Sequence, residues 1–228
     1  MAKTPRCHPS CVQLLLRMTD KNLHIIDHPL IRHKLALLRD RETSTNKFRD
    51  LLREVSLLMG YEVLRDLPTE EVAIETPLEK TKAQKIAGKK MCIVSIMRSG
   101  DGLLEGLLGL VPTARVGHIG LYRDPDTLVP VEYYLKLPED LHDRAAVIVD
   151  PLLATGQSAV AAISRVKGLD CAHVKFLCLI ASPEGIAAVR DAYPDVPIYA
   201  AAIDRGIDED GNILPGIGDA GNRIFGTQ

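Results

Sequence analysis

Asp150, Thr155 and Ser158 stand where chemistry is easiest to imagine. They belong to the run Asp150-Pro151-Leu152-Leu153-Ala154-Thr155-Gly156-Gln157-Ser158. Before it lies a short apolar, β-branched stretch from Ala145, which suits a strand buried on both faces. After it, Val160, Ile163 and Val166 recur at helical spacing, and Gly168 supplies a C-terminal stop. A strand that ends in a carboxylate and enters a helix through a small, hydroxyl-bearing turn can cradle phosphate. The first amides of the helix lack internal partners, and the helix dipole adds partial positive charge there. Thr155 and Ser158 add hydroxyl donors, and Asp150 is placed to accept hydrogen bonds from sugar hydroxyls. The same spacing also describes an ordinary turn capped by Thr155 or Ser158. The rest of the chain has to decide between the two.

The elements around this run alternate. Met91 to Met97 reads as a strand, followed by the turn Arg98-Ser99-Gly100-Asp101-Gly102 and a short glycine-containing helix from Leu103 to Leu110. Ala114 to Leu121 is a second strand. Tyr122 to Pro138 is a polar-aromatic excursion that suits a hairpin or flap. His173 to Ala181 is a further strand. Ser182 caps and Pro183 opens a helix to about Ala192, and Pro197 to Ile203 is the last core strand. This predicts an α/β fold, a doubly wound, mostly parallel sheet with helices on both faces. Ligands of such sheets bind at the carboxyl ends of the strands. Those ends carry Arg98, Arg123, Asp150 and Asp204. Upstream, a helix from Pro29 puts Leu30, Lys34, Leu37 and Leu38 on one face. A second starts at Ser44 or Thr45 and runs to about Met59, with Phe48, Leu51, Leu52, Val55, Leu58 and Met59 as its stripe. Residues 66–90 read as short edge strands and loops.

Composition narrows the class. The chain has 228 residues, 46% hydrophobic and 25% charged, with no Trp, so its core is built from aliphatic side chains. A net charge of −2 argues against a dedicated nucleic-acid binder. No apolar run reaches membrane-spanning length. The five cysteines form an odd, scattered set, and Cys92 and Cys178 lie in strand-like runs. Buried free thiols in a reducing, cytoplasmic setting are expected. Cys7-His8-Pro9-Ser10-Cys11 resembles half a metal site, but nothing nearby completes four ligands. Residues 1–22 read as an N-terminal extension, since their apolar piece is short for a signal peptide and no small-residue cleavage pattern follows. Residues 23–228 read as one domain.

The tail from Asp204 is glycine-rich. Gly216-Ile217-Gly218-Asp219-Ala220-Gly221 matches a dinucleotide fingerprint, yet no strand leads straight into it and too little chain follows for a helix and second strand. A loop whose backbone approaches a flat ligand is the better use of these glycines. Asp219 stands there with no helix or strand expected beside it.

These segments together resemble the uracil phosphoribosyltransferases. The run from Asp150 to Ser158 is similar to their phosphoribosyl-pyrophosphate (PRPP) loop. Ile96-Met97-Arg98-Ser99-Gly100, Tyr122-Arg123-Asp124 with Leu128 to Leu137, and Pro215 to Gly221 with Ile224-Phe225-Gly226-Thr227 follow in the same order. The segment His28 to Leu38, with Ser44-Thr45, also fits. The resemblance covers nearly the whole chain from about Leu23. It implies the phosphoribosyltransferase-like fold, with a flap over 122–138 and a base-binding loop within 204–228. It implies transfer of phosphoribose from PRPP to uracil, usually with Mg²⁺, and no bound nucleic acid or membrane. By position, Arg98 and Arg123 would hold pyrophosphate, Asp150 the ribose hydroxyls, and Ala154 to Ser158 the 5′-phosphate, with Pro151, Leu152 and Leu153 completing the PRPP loop. Ile213, Gly218, Asp219 and Ala220 would frame uracil, and Asp219, Arg98 and Arg123 would be the catalytic set. Ser99, Asp101 and Gln157 depart from the usual family residues. Asp101 puts a negative charge beside the pyrophosphate turn, which would weaken PRPP binding or help hold Mg²⁺.

That chemistry is self-consistent. Displacement at the ribose carbon passes through an oxocarbenium-like state, so the leaving group needs its charge neutralised and the sugar must be positioned and shielded. Arginine forks and Mg²⁺ supply the first, and a closing flap the second. Uracil presents acceptor, donor and acceptor along one edge, which backbone N–H, C=O and N–H groups of a glycine loop can match. Purine and orotate relatives carry acids where this chain has Pro151 and Ala154, which favours uracil. Similar enzymes are dimers, and GTP activates some, so a homodimer or higher homo-oligomer is expected. The alternative of another class is a regulator on the same fold that binds RNA of pyrimidine genes. The near-neutral charge and the complete Arg98, Arg123 and Asp219 set argue against it. A uridine kinase is excluded by the missing Gly-x-x-x-x-Gly-Lys-Ser/Thr.

Overall fold

The computed structural model describes residues 21–88, 91–123 and 130–227, without the side chains of Arg123 and Pro130. Cys7 and Cys11, and the expected flap tip at 124–129, lie outside the described residues. In chain order the elements are β1 (Leu23–Ile25), α1 (Pro29–Arg39), α2 (Thr45–Val63), β2 (Thr69–Glu75), β3 (Lys80–Ile86) and β4 (Cys92–Met97). Then come α3 (Asp101–Leu110), β5 (Arg115–Arg123), β6 (Pro130–Lys136), β7 (Ala145–Val149), β8 (Leu152–Leu153) and α4 (Gln157–Lys167). The last are β9 (His173–Ala181), α5 (Pro183–Ala192), β10 (Ile198–Ile203), β11 (Gly206–Ile207), β12 (Ile213–Leu214) and α6 (Ala220–Phe225). A single 3₁₀ turn, Leu141–Asp143, precedes β7.

The main sheet runs β1-β10-β9-β7-β4-β5-β6, with β8 also paired to β9. Every pairing is parallel except β5 with β6, which form a hairpin with a register shift at Gly120/Leu121. Successive strand residues supply opposite faces. In β9, Val174, Phe176 and Cys178 enter one apolar layer with Ile163 and Val166 of α4 and Ile186 and Val189 of α5. Leu177 and Leu179 enter the other, with Ile31 of α1, Phe48 and Leu52 of α2, and Leu103 and Leu107 of α3. Both faces are therefore covered, which explains why these strands read as continuous apolar runs. The expected doubly wound, mostly parallel sheet is what the chain forms.

From β4 the chain moves outward to β5 on one side, whereas β7, β9 and β10 extend the sheet on the other. The order reverses between β4 and β7. A crevice opens beyond the strand ends at such a reversal.

Several expectations are corrected. β1 was not read from the sequence. It has three residues, too few to show alternation, and it pairs with β10 at the sheet edge. Residues 69–86 do not extend the sheet edge but make a separate antiparallel hairpin, β2–β3. In α1, Leu30 and Leu37 remain exposed, and the buried side chains are Ile31, Leu35 and Leu38. α2 continues to Val63 with its expected stripe buried, apart from half-buried Leu58. Ser44 is its N-cap by position, but the hydroxyl bonds Asn46 Oδ1 at 3.0 Å and caps no amide. The tail is less irregular than expected, since β11–β12 and α6 are regular. Within α3, Gly106 permits close contact with α2: a Cβ there would lie 2.6 Å from the Arg53 carbonyl oxygen. Cys92 in β4, Cys178 in β9 and Cys171 just before β9 are buried free thiols, as expected.

Candidate active site

The reversal point is closed by a hydrogen bond. Ser99, in the turn after β4, donates from Oγ to Asp150 Oδ1 at 2.7 Å, just beyond β7. Burial pushes the Asp150 carboxyl up to about 7, against the opposing pull of Ser99 and the Leu152 amide. Asp150 nonetheless keeps partial exposure, through the cleft it lines.

From Asp150 the chain makes a compact cradle. The Pro151 carbonyl accepts from both Leu179 and Ile180 amides, and Leu152–Leu153 pair with β9. Ser182, fully buried, then ties this turn to α5. Its amide donates to the Leu153 carbonyl at 2.9 Å, its Oγ donates to the Ala154 carbonyl at 2.5 Å, and the same Oγ accepts from Gly185 N at 2.9 Å. α4 begins at Gln157 behind an N-cap at Gly156, not at Thr155 or Ser158. Gly156 has φ +82°, and a Cβ there would sit 2.6 Å from Ala188 Cβ. Only glycine meets both demands. The leading amides of α4 face the cleft with no side-chain cap.

Across the cleft lies the C-terminal loop. One cavity of about 240 Å³ is lined on one side by Asp150, Leu152, Leu153, Ala154, Thr155, Gly156 and Ser158, and on the other by Ile213, Gly218, Asp219 and Ala220. Thus most of the residues singled out from sequence meet in one place. Pro151 and Gln157 do not line it: Pro151 is buried under the turn and Gln157 points to solvent. Arg98 is exposed outside the cavity. Its guanidinium lies 5.6 Å from the Phe225 ring centroid and 3.5 Å from Thr227 Oγ1. Arg123 ends β5 beside the β5–β6 hairpin, and its side chain lies outside the described residues.

Three acids have partners that the sequence did not show. Asp204 does not join the cleft. It is buried in an ion pair with Arg39, at 2.6 and 2.7 Å, and accepts from the Gly216 amide at 2.8 Å. Asp219, expected to have no element to serve, is the N-cap of α6, where Oδ1 accepts from Asn222 N at 2.8 Å. The dinucleotide reading still fails, because two-residue β12 and six-residue α6 leave no second strand. Asp101 accepts from Ser95 Oγ at 2.6 Å and lies 3.7 Å from His118 Nε2, so its charge is engaged against the sheet.

Sequence reasoning missed Ser99, Ala159, Gly211, Asn212, Ile217 and Gly221 as lining residues. Asn212 had a signal. Asp208-Glu-Asp-Gly-Asn212 is an Asx-type turn in which the Asn212 amide donates to Asp208 Oδ1 at 2.8 Å, holding that carboxyl below its usual range. Ser99 departs from the usual family residue, and its bond to Asp150 spans 51 residues of chain.

A phosphate-type cradle at the reversal point of a parallel sheet, faced by a glycine-rich loop from the chain's end, defines the phosphoribosyltransferase class of α/β proteins. A family model described as uracil phosphoribosyltransferase matches residues 25–227. A uracil phosphoribosyltransferase of Rhodococcus opacus is 62% identical over 206 residues, covering 90% of this chain and 99% of that protein. One of Acidovorax ebreus is 58% identical over 207 residues, covering 91% and 99%. The solved structure of the AQ2163 protein from Aquifex aeolicus superposes with a TM-score of 0.85 at 34% identity, covering 89% of this chain and 97% of that one. The chain belongs to the uracil phosphoribosyltransferase family.

Proposed function

We propose that the protein transfers the 5-phosphoribosyl group of PRPP to uracil, releasing pyrophosphate and forming UMP. The observation that carries this reading is the single cleft shared by the Asp150–Ser158 cradle and the Ile213–Gly221 loop. The amides at the start of α4, with Thr155 and Ser158, take the 5′-phosphate. Asp150 takes the ribose hydroxyls. The loop of Ile213, Gly218, Asp219 and Ala220 frames uracil opposite the sugar. Arg98 and Arg123, at the ends of β4 and β5, neutralise the departing pyrophosphate. Pro151 and Gln157 shape the PRPP loop without lining the cleft.

Asp219 lines the cleft from the base loop, in the cavity that the cradle also lines. A carboxylate there stabilises positive charge developing on the ribose carbon as pyrophosphate leaves. In this reading the β5–β6 hairpin, whose first strand ends at Arg123, covers the reacting sugar and excludes water.

Mg²⁺ fits this chemistry in one way only. Among the described residues no group of three His, Cys, Asp or Glu can hold a metal ion. Mg²⁺ keeps several waters and typically uses one or two carboxylates plus substrate phosphates. Asp150 and Asp219 are the carboxylates that line the cleft, and the diphosphate of PRPP would supply the remaining oxygens. When bound, the ion adds positive charge on the leaving group.

The test is PRPP-dependent conversion of uracil, cytosine, hypoxanthine and orotate by the purified protein. Conversion of uracil alone supports the reading. Preferred conversion of hypoxanthine or orotate would replace it.

A further inference from the structure

The base loop is held from behind by two arginines. Arg39, on α1, donates from Nη1 to the Gly216 carbonyl at 2.9 Å while it pairs with buried Asp204. Asp204 in turn accepts from the Gly216 amide at 2.8 Å. Arg223, on α6, donates from Nη1 to the Ile217 carbonyl at 2.9 Å. The same guanidinium binds the Leu38 carbonyl at 2.5 Å and the Asp40 carbonyl at 2.6 Å, at the end of α1, and stacks 4.3 Å above the Phe48 ring. Arg39 and Arg223 line a separate cavity behind the loop, whereas Ile217 and Gly218 line both this cavity and the cleft.

A trans peptide points its N–H opposite to its C=O. The Gly216–Ile217 and Ile217–Gly218 peptides are both trans. Their carbonyls are drawn backward by Arg39 and Arg223, so their amides face the other side, toward the cleft. Among the described residues no acceptor takes the Ile217 or Gly218 N–H.

We infer that Arg39, Asp204 and Arg223 are positioning residues that turn two loop peptides so that the Ile217 and Gly218 amides donate to carbonyl oxygens of the base. The inference rests on the reading of this cleft as a uracil site. None of the three side chains touches the base. They set its recognition by occupying the loop's acceptors from behind, leaving donors in front. A carbonyl turned forward would repel a uracil oxygen and accept from an amino group instead, so the arginines also set the preference for a carbonyl-bearing base.

The test is steady-state kinetics of the full chain and its Arg223→Lys and Arg39→Lys variants on uracil, 2-thiouracil and 4-thiouracil. Lysine keeps the charge but cannot reproduce a guanidinium's fork. The thio-analogues each replace one carbonyl oxygen with a poor acceptor. The expected result is a uracil KM raised about tenfold, the scale of one hydrogen bond, with KM for PRPP near its wild-type value. The preference for uracil over at least one thio-analogue should shrink by a similar factor. A merely structural role would weaken all three bases alike and leave that preference unchanged, which would overturn the inference. So would unchanged kinetics, or loss of the folded state in both variants, which would make the arginines requirements of the fold. Wild-type protein that converts no uracil would instead overturn the functional reading beneath it.

Discussion

Asp150 and Asp219 divide the work of the cleft between a carboxyl that is hard to ionise and one that caps a helix. Burial raises Asp150 to about 7 from an ordinary value near 4. Between those limits the unfolded chain has lost this proton and the native chain has kept it. Stability contributed at this site is therefore complete below about pH 4 and falls as pH rises toward 7. Urea unfolding of wild type and Asp150→Asn across pH 4–8 checks this: the wild type should lose stability relative to the variant as pH rises, and parallel curves would contradict it. Asp219→Asn keeps a good N-cap for α6 and removes only the charge. Its kcat should fall roughly 10²-fold, the scale of one electrostatic stabiliser, with KM for PRPP changing far less. Asp219→Ala should lose about 1 kcal/mol of stability besides, read in a thermal melt. An Asn variant of unchanged kcat would reduce Asp219 to a capping residue. At this scale the sequence was informative about type and not about partner. Asp150, Thr155 and Asp219 were legible, but the diversion of Asp204 to Arg39 and of Asp101 to Ser95 depends on contacts 165 and 6 residues apart that no pattern displays.

At the scale of elements, the strand–turn–helix around Gly156 is the unit to which the proposed function assigns phosphate binding. Gly156→Ala puts a Cβ against Ala188 and forces a positive φ on a residue that resists it. The variant should lose roughly 1–3 kcal/mol in chemical denaturation. It should also raise KM for PRPP more than KM for uracil, if the displaced amides hold the phosphate as proposed. Equal effects on both substrates would contradict that assignment. Periodicity located the long elements here, because β4, β7 and β9 are buried on both faces and α2 and α4 carry clear stripes. It failed where elements are short. β1, β12 and α6 are held by tertiary partners, β10, β11 and the end of α1 among them, and two to six residues carry too little pattern to announce themselves. The exposed Leu30 and Leu37 misled the face assignment of α1 because their spacing is as helical as that of Ile31, Leu35 and Leu38.

On the scale of the whole molecule, the sheet reversal brings residues from 99 to 221 into one cleft, and the chain's last loop completes it. α1 leaves Leu30 and Leu37 about two-fifths exposed, at 42% and 38%, and the off-sheet hairpin β2–β3 projects without a place in the main sheet. A homodimer covering such surface is expected, and light scattering at working concentration should return twice the monomer's 25.0 kDa, with a monomeric mass contradicting it. No described helix is long and apolar enough to cross a membrane. The central claim is that this one cleft joins uracil to phosphoribose with loss of pyrophosphate. It is tested most directly by quantifying UMP and pyrophosphate over time from uracil and PRPP. The two products should appear together in equal amounts, and neither should form when cytosine replaces uracil. Pyrophosphate released without UMP, or UMP-free turnover of PRPP with any base, would contradict the account.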